Sequence, residues 1–229
     1  MDTFSKSVSK SKIRRSCPRC NRIISTHANG NLYSHRCNTE FKEIPKNQIF
    51  LIENFIDNEL CNEIIKITDE FAINESKLDD ENNVRCKFIP VKQISNVEIK
   101  DKYDKIIFDY IHKFVFSLRN DYGIHVNGDS GYCLRKIHGP TRFHTDGLQT
   151  EATTDKMFIP INKLRNMSVI IALNDDYEGG ELHFINQNFR IKLKKGQLIA
   201  FPPYWTHFHG TEELRNNTYR YTINTWLYE

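Results

Sequence analysis

The chain has 229 residues, of which 39% are hydrophobic and 27% are charged, and its formal net charge is +3. This length allows one substantial hydrophobic core with a small appendage, and this charge is too small to indicate nucleic-acid binding by itself. No apolar run is long enough to cross a bilayer, and the first residues lack the apolar core of a secretory signal peptide. We therefore expect an intracellular protein, cytoplasmic or nuclear, with no membrane partner.

The first 45 residues form a basic tail. Its charges are Lys6, Lys10, Lys12, Arg14, Arg15, Arg19 and Arg22. Such an arm can attract the backbone of RNA or DNA, and it can equally be a solvated tail without a partner. Nucleic acid is therefore retained as an alternative partner.

The same segment contains candidate zinc ligands. Cys17 and Cys20 form a Cys-x-x-Cys pair, and His35 and Cys37 could complete a tetrahedral Cys3His site, with His27 as an alternative to His35. A segment this short cannot fold on hydrophobic burial alone, so we expect a structural Zn(II) to stabilise it. The alternative is a tail with incidental cysteines, since cysteines in a reducing compartment are free thiols or metal ligands rather than disulfides.

The main domain is predicted over residues 46–229. A strand is expected over residues 48–56, followed by a helix that Asp57 or Asn58 caps. Residues 74–83 are polar and are expected to form a loop, and residues 85–94 are expected to be extended. Apolar residues at helical spacing then predict a long helix that starts near Val97 and ends at residues 121–123.

The chain after Gly128 is predicted to form short strands with polar turns. The expected strands are Tyr132–Ile137, Met167–Leu173, Glu181–Ile185, Phe189–Leu193, Gln197–Phe201 and Tyr219–Leu227. Residues 147–166 form a longer polar stretch of the kind that often covers a site. The order of elements favours an α+β, mainly β domain: a sheet sandwich or barrel with helices packed outside.

The chemistry-bearing residues begin with His144-Thr145-Asp146. In an extended strand the side chains at i and i+2 point the same way, so His144 and Asp146 could bind one ion. Two imidazoles and one carboxylate can occupy one face of an octahedral Fe(II) and leave positions open for other ligands. His209 follows 63 residues after Asp146 and precedes Arg220.

The surrounding motifs carry a family resemblance. The strand at residues 50–56, the His144–Asp146 triplet, the block "LND…EGGELHF" at residues 173–184, "FPPYWTHFHG" at residues 201–210 and "RYTINTW" at residues 220–226 occur in this order. Residues 47–229 thus resemble the prolyl 4-hydroxylase-like branch of the Fe(II)/2-oxoglutarate-dependent dioxygenases.

The resemblance implies a double-stranded β-helix, or jelly roll, with flanking helices. It implies that His144, Asp146 and His209 bind Fe(II) and that Arg220 pairs with the C5 carboxylate of 2-oxoglutarate, with Ser168 or Thr222 assisting. The implied reaction consumes O2 and oxidatively decarboxylates 2-oxoglutarate to succinate and CO2 while a substrate C–H bond is hydroxylated. Ascorbate is a further candidate cofactor.

Two histidines compete for the distal ligand position. The family pattern places the ligand four residues after the Trp of Phe-Pro-x-x-Trp and before a Gly, which favours His209 over His207. His138 and His183 are expected to be structural. The chain also departs from the family: Arg135 stands where a Tyr commonly precedes the first ligand, and Ile171 or Ala172 stands where an aromatic residue is common.

The implied substrate is a prolyl residue in a protein or peptide. The same chemistry could act on a lysyl side chain or on a nucleic-acid methyl group, for which the basic tail leaves room. A third hypothesis is a non-catalytic, zinc-containing binding module on this scaffold.

Overall fold

The computed structural model describes residues 14–16, 23–25, 42–77, 84–147, 151–152, 157–158 and 164–229. The chain divides into two compact units. The first comprises Met1–Glu43 and Phe116–Ile124, and the second comprises Ile44–Val115 and His125–Glu229. The predicted zinc ligands Cys17, Cys20, His35 and Cys37, and the alternative ligand His27, lie outside the described residues. The domain boundary predicted at residue 45 stays a prediction.

The described part of the first unit contains a short hairpin-like pair of strands. Strands β1 (Arg14–Ser16) and β2 (Ile23–Ser25) pair in antiparallel fashion. In the same unit Lys42 Nζ lies 2.9 Å from Asp121 Oδ2, and this ion pair lowers the pKa of Asp121 through a hydrogen bond from Lys42.

In addition to β1 and β2, the described residues contain two α-helices and sixteen strands. The helices are α1 (Asn58–Phe71) and α2 (Val97–Tyr122), with short 3-10 helices at Val91–Gln93 and Trp205–His207. The strands are β3 (Phe50–Ile52), β4 (Asn74–Lys77), β5 (Val84–Pro90), β6 (Gly128–Asp129), β7 (Cys133–Ile137), β8 (Thr141–His144), β9 (Glu151–Ala152), β10 (Met157–Phe158), β11 (Arg165–Ala172), β12 (Glu178–Gly179), β13 (Leu182–Phe184), β14 (Phe189–Ile191), β15 (Leu198–Phe201), β16 (His209–Thr211), β17 (Leu214–Arg215) and β18 (Arg220–Tyr228).

The helices begin and end close to the predicted residues. Asp57 is extended and its Oδ1 accepts a hydrogen bond from the backbone N–H of Leu60 at 2.8 Å, which is the geometry of an N-cap. One face of α1 buries Cys61, Ile64 and Ile67. Helix α2 starts at Val97 as predicted, and no described helix is long and apolar enough to span a bilayer.

Two antiparallel sheets form the body of the second unit. The larger has the strand order β3-β15-β11-β18-β7-β5-β4, with β6 paired to β18, and the smaller has the order β14-β13-β16-β8. The six strands predicted after Gly128 are β7, β11, β13, β14, β15 and β18, with ends that differ by no more than two residues. The mainly β class and the double-stranded β-helix are thereby confirmed.

A hydrophobic core holds the two sheets face to face. Leu182 and Phe184 of the small sheet belong to the same buried cluster as Ile199 and Phe201 of the large sheet. The rings of Phe184 and Phe201 meet edge to face, with centroids 4.8 Å apart. His183, between the two inward residues of β13, is only partly buried, so the strand follows the two-residue alternation expected of a sheet with one buried face.

Two predicted elements are wrong. Residues 74–77 form the edge strand β4, paired with β5, although residues 74–83 were expected to form a loop. Their polar side chains are tolerated because an edge strand needs backbone pairing more than burial. The strand predicted over residues 48–56 is shortened to Phe50–Ile52, since Asn54 adopts a φ of 50° and the N–H groups of Phe55 and Ile56 donate to the Gly196 carbonyl. In the predicted loop at residues 147–166, β9 and β10 pair, and most of the rest lies outside the described residues.

The turn at Gly196 provides a test of the fold. Gly196 has a φ of +77°, and a Cβ there would lie 2.4 Å from the Ile56 carbonyl oxygen. A non-glycine residue in the left-handed region costs about 1–2 kcal/mol of stability. Because a Cβ would also clash with the Ile56 carbonyl, Gly196→Ala is expected to lower the free energy of unfolding by more than this amount. Urea unfolding measures this, with Gly128→Ala as the control because nothing lies within 4 Å of a Cβ at that position. Equal midpoints for the two variants would contradict the close approach.

Candidate metal centre and its pocket

Two histidines face each other across neighbouring strands of the smaller sheet. His209 at the start of β16 pairs directly with His144 at the end of β8, and their ring centroids are 4.5 Å apart. Asp146 lies two residues after the end of β8. The expectation that His144 and Asp146 share one extended strand is therefore wrong. Asp146 Oδ1 nevertheless lies 3.3 Å from His144 Nε2, and its Oδ2 lies 3.6 Å from His209 Nε2.

These three side chains form a candidate metal site. One ligand atom from each lies within 4.8 Å of the others. Both histidines are oriented by the backbone: His144 Nδ1 lies 2.8 Å from the Arg142 carbonyl oxygen, and His209 Nδ1 lies 2.8 Å from the His207 carbonyl oxygen. A carbonyl can only accept, so each Nδ1 donates, and in the neutral imidazole it is then Nε2 that carries the lone pair for a metal ion.

The Asp146 carboxylate is held in its charged form. Burial alone would raise its pKa, but the hydrogen bond from His144, the nearby His209 and a hydrogen bond from Ser168 together lower the pKa of Asp146. Ser168 Oγ donates to Asp146 Oδ2 at 2.7 Å, and Arg165 Nη1 donates to the Asp146 backbone carbonyl at 2.7 Å. The carboxylate is thus both charged and fixed in direction, which suits a ligand to a divalent cation.

The two histidines have opposite pKa shifts. The hydrogen bond to Asp146 raises the pKa of His144, and burial lowers the pKa of His209. His209 is therefore favoured as the neutral imidazole that a metal ion requires. The negative charge of Asp146 attracts a cation to the space between the three side chains.

The other candidate histidines lie outside the cluster. His207 is buried, with Nε2 3.0 Å from the Asn47 carbonyl and Nδ1 3.0 Å from Thr206 Oγ1. His183 packs edge to face on Phe143, and His138 packs edge to face on Tyr219. The structure therefore places His209 in the cluster, and His207 contributes its backbone carbonyl to orient His209.

Arg220 lies in the pocket that opens beside the three residues. It is only 8% exposed, its Nη1 donates to the Gly180 carbonyl at 2.6 Å, and its Nε has no hydrogen-bond partner among the described residues. Burial lowers the pKa of Arg220. A buried guanidinium with an unpaired donor fits a carboxylate ligand, which would restore the lost hydrogen bond and charge balance.

One face of strand β18 lines the pocket. The residues that alternate along β18, Arg220, Thr222, Asn224 and Trp226, all border the cavity that contains His144, Asp146 and His209. Its walls also include apolar side chains. These are Ile137, Val169, Ile170, Ala172, Leu182, Ile191 and Leu193. The cavity thus combines a polar set of ligands with an apolar wall, as small-molecule sites commonly do.

The two hydroxyl groups predicted to assist a co-substrate have other partners in the structure. Ser168 Oγ donates to Asp146, and Thr222 Oγ1 donates to Asn224 Oδ1 at 2.7 Å. Both residues line the pocket. Their predicted roles beside Arg220 stay predictions.

Three functional neighbours were missed by the sequence reasoning. Tyr177 and Gly180, from the block at residues 173–184, border the pocket beside Arg220, and no role there was predicted for them from the sequence. Arg165 reaches the Asp146 carbonyl from β11, and no local pattern in the sequence indicates this contact.

Comparison with known families agrees with this geometry. Residues 135–228 match the family model described as "2OG-Fe(II) oxygenase superfamily". The matched range contains the three clustered residues and Arg220, and this match supports a 2-oxoglutarate-dependent dioxygenase that uses Fe(II).

Solved structures share the fold of this chain. The viral collagen prolyl hydroxylase of Paramecium bursaria Chlorella virus-1, solved with 2OG, is 18% identical with a TM-score of 0.55 over 79% of this chain and 94% of that chain. The Trichoplax adhaerens prolyl hydroxylase, solved with a hypoxia inducible factor peptide, is 16% identical with a TM-score of 0.60 over 80% and 84%. A Pseudomonas putida prolyl-4-hydroxylase is 13% identical with a TM-score of 0.51 over 79% and 92%. No curated protein matches the sequence.

Proposed function

We propose that the protein hydroxylates a prolyl residue of a protein or peptide, with 2-oxoglutarate and O2 as co-substrates. One oxygen atom of O2 enters the substrate C–H bond and the other enters succinate, with release of CO2. The observation that carries the proposal is the convergence of His144, Asp146 and His209 in one pocket with the buried Arg220.

His144, Asp146 and His209 would hold Fe(II). The backbone carbonyls that accept from the two Nδ1 atoms orient both imidazoles with Nε2 near the Asp146 carboxylate, and Ser168 holds that carboxylate in place. With only three protein ligands, a bound Fe(II) would keep coordination positions for the co-substrates. Bound there, Fe(II) supplies the activation of O2 that no protein side chain provides.

Arg220 would bind the C5 carboxylate of 2-oxoglutarate. Its Nη1 is already fixed by the Gly180 carbonyl, so its planar group has little freedom left to lose on binding. Its unpaired Nε can donate to the ligand. The apolar side chains of the pocket wall limit water around the ion pair and strengthen it. Thr222, one two-residue step along β18, would offer a further hydroxyl.

The prolyl substrate is supported by the fold. Structures named as prolyl hydroxylases share the architecture over about four fifths of this chain, and one of them holds a peptide. At identities below one fifth this support concerns the fold, so the substrate is our proposal. Nucleic acid, zinc and ascorbate stay predictions.

Mass spectrometry tests the proposed function. Purified protein with Fe(II), 2-oxoglutarate and ascorbate should add one oxygen atom to a proline in a library of proline-containing peptides, and succinate should form in equal amount. Oxidation of methylated oligonucleotides or of lysyl residues, with no oxidation of proline, would contradict the prolyl assignment. Succinate formation that no substrate stimulates would also contradict it.

Ser168 offers a test of how the carboxylate is held. Ser168→Ala removes the 2.7 Å hydrogen bond to Asp146, and loss of such an outer contact typically weakens metal binding by about 10–100-fold. Isothermal titration with Mn(II) measures the change. Ser117→Ala is a matched control, because Ser117 Oγ donates to the carboxylate of Asp121 on α2. Equal Mn(II) affinity in both variants would show that the Ser168 contact is dispensable.

A further inference from the structure

A second cavity borders the pocket and shares Arg135 and Trp226 with it. Its lining includes Lys92, Asp129 and Arg165 in addition to these two residues, and we call it the basic groove. The shared residues make the groove continuous with the wall of the pocket that contains the candidate metal ligands. A substrate that reaches the metal through this mouth must pass the shared side chains.

Arg135 has a free donor in a partly buried position. It lies on β7 opposite Thr222 of β18, and its Nε is buried without a hydrogen-bond partner among the described residues. Its guanidinium carbon lies 6.0 Å from the centre of the Trp226 ring. An unsatisfied, partly desolvated guanidinium is costly by itself, and a carboxylate is the ligand that satisfies it best.

Arg165 brings a second positive charge to the same ring. Its guanidinium carbon lies 3.8 Å from the centre of Trp226, and its Nη1 donates to the Asp146 backbone carbonyl. The contact with Asp146 fixes Arg165 beside the candidate metal ligands. Two guanidinium groups on one indole raise the local potential, so an anion bound between them would be held close to the metal centre.

The groove carries more positive than negative charge. Lys92, Arg135 and Arg165 face one carboxylate, Asp129, among its described lining residues. That carboxylate is already engaged, because Asp129 Oδ1 accepts from the Gly131 N–H at 2.8 Å and Oδ2 accepts from the Tyr132 hydroxyl at 2.9 Å. Asp129 is therefore a poor internal partner for Arg135.

We propose that the basic groove recognises an acidic side chain of the substrate peptide, with Arg135 as the residue that pairs with its carboxylate. The proposal rests on the proposed function, since it places the acidic residue near the proline that enters the pocket. It also gives a role to the departure at position 135, where the related enzymes commonly carry a Tyr.

The observations favour a peptide over a nucleic acid. Single-stranded nucleic acids are held by bases that stack on exposed aromatic faces. Arg165 already stacks on the Trp226 ring at 3.8 Å, so that face is occupied. The two guanidinium groups of the groove also sit around one ring and do not form the extended stripe that tracks a phosphate backbone.

Paired peptides test the proposal. A set of proline peptides carries Glu at each position near the proline, and each has a partner with Gln in its place. We expect the wild-type protein to prefer at least one Glu peptide over its Gln partner by about 10-fold or more in kcat/KM, and Arg135→Gln to reduce this ratio to near 1. Arg190→Gln is the matched control, because Arg190 is a surface arginine paired with Glu212, and it should keep the ratio.

A binding measurement keeps the test independent of turnover. The chain has two tryptophans, so in Trp205→Phe the remaining fluorescence comes from Trp226. Because Trp205 is 78% exposed, this replacement should leave the fold intact. The Glu peptide should quench Trp226 at lower concentration than the Gln peptide, and 0.5 M NaCl should remove the difference. Tighter binding of the Glu peptide without any proline oxidation would uphold the groove and contradict the proposed function.

A charge-reversal variant at Arg135 distinguishes the loss of a specific charge from misfolding of the groove. Arg135→Glu should bind a peptide with Lys at the selected position better than the Glu peptide, which a damaged groove could not do. Equal binding of the Glu and Gln peptides by the wild-type protein would overturn the proposal. An Arg135→Gln variant whose only change is a higher KM for 2-oxoglutarate would also overturn it, as would an oligonucleotide that binds more tightly than the Glu peptide and depends on Arg135.

Discussion

Asp146→Ala and His144→Ala are each expected to abolish turnover through loss of the metal ion. Each replacement removes one of three protein ligands. The loss in metal affinity should therefore exceed the loss of about 100-fold that can follow when a residue hydrogen-bonded to a ligand is removed. The fold should survive, because Asp146 lies just outside β8 and His144 at its end. Isothermal titration with Mn(II), circular dichroism and succinate release measure these effects together.

His183→Ala is the matched control for His144→Ala. His183 lies on the neighbouring strand β13, is partly exposed and does not border the pocket. It should bind Mn(II) like the wild-type protein. The distal ligand is tested in the same way: His209→Ala should lose the metal. If His207→Ala lost it while His209→Ala kept it, the assignment of His209 would be wrong.

Arg220→Met is expected to raise the KM for 2-oxoglutarate strongly. Removing one partner of a buried, hydrogen-bonded charge pair costs about 2–5 kcal/mol, which corresponds to roughly 30-fold or more in affinity. High 2-oxoglutarate should partly restore turnover, because the metal ligands are intact. Arg190→Met is the control: Arg190 is an exposed arginine outside the pocket, and its KM should match that of the wild-type protein.

The same variant should separate co-substrate binding from stability. Burial lowers the pKa of Arg220, so its charge is unfavourable in the folded protein until a carboxylate arrives. Arg220→Met should therefore not lower the melting temperature without 2-oxoglutarate. With Mn(II) present, 2-oxoglutarate should raise the melting temperature of the wild-type protein and not that of the variant, because ligand binding stabilises the folded state. An equal rise in both would assign the carboxylate to another residue.

The sequence predicted the candidate site better than it predicted the contacts around it. His144, Asp146, His209 and Arg220 could be selected because their residue types and order match a specific chemistry. Arg220, Thr222, Asn224 and Trp226 alternate along β18 and all border the pocket, since a strand repeats every two residues. Asp146 was expected within the same strand as His144, and that local detail failed because β8 ends at His144.

Ser168 shows a different kind of limit. Its place in β11 was known, and its hydroxyl was expected near the co-substrate carboxylate. In the structure that hydroxyl also has a partner that was not predicted, the carboxylate of Asp146. A hydroxyl bonds to whichever acceptor packing brings closest, and packing between β11 and the end of β8 depends on contacts that no local pattern encodes.

The sequence by itself determined the ends of the helices, the strands with a clear two-residue alternation, and the residue types able to bind a ferrous ion and a dicarboxylate. These depend on neighbours in the chain, such as the Asp57 cap. Only the tertiary structure decided that His209 pairs with His144 and that Arg135 and Arg165 meet at Trp226. These contacts join distant segments, and their geometry follows from strand register and sheet packing, which are set by the whole core.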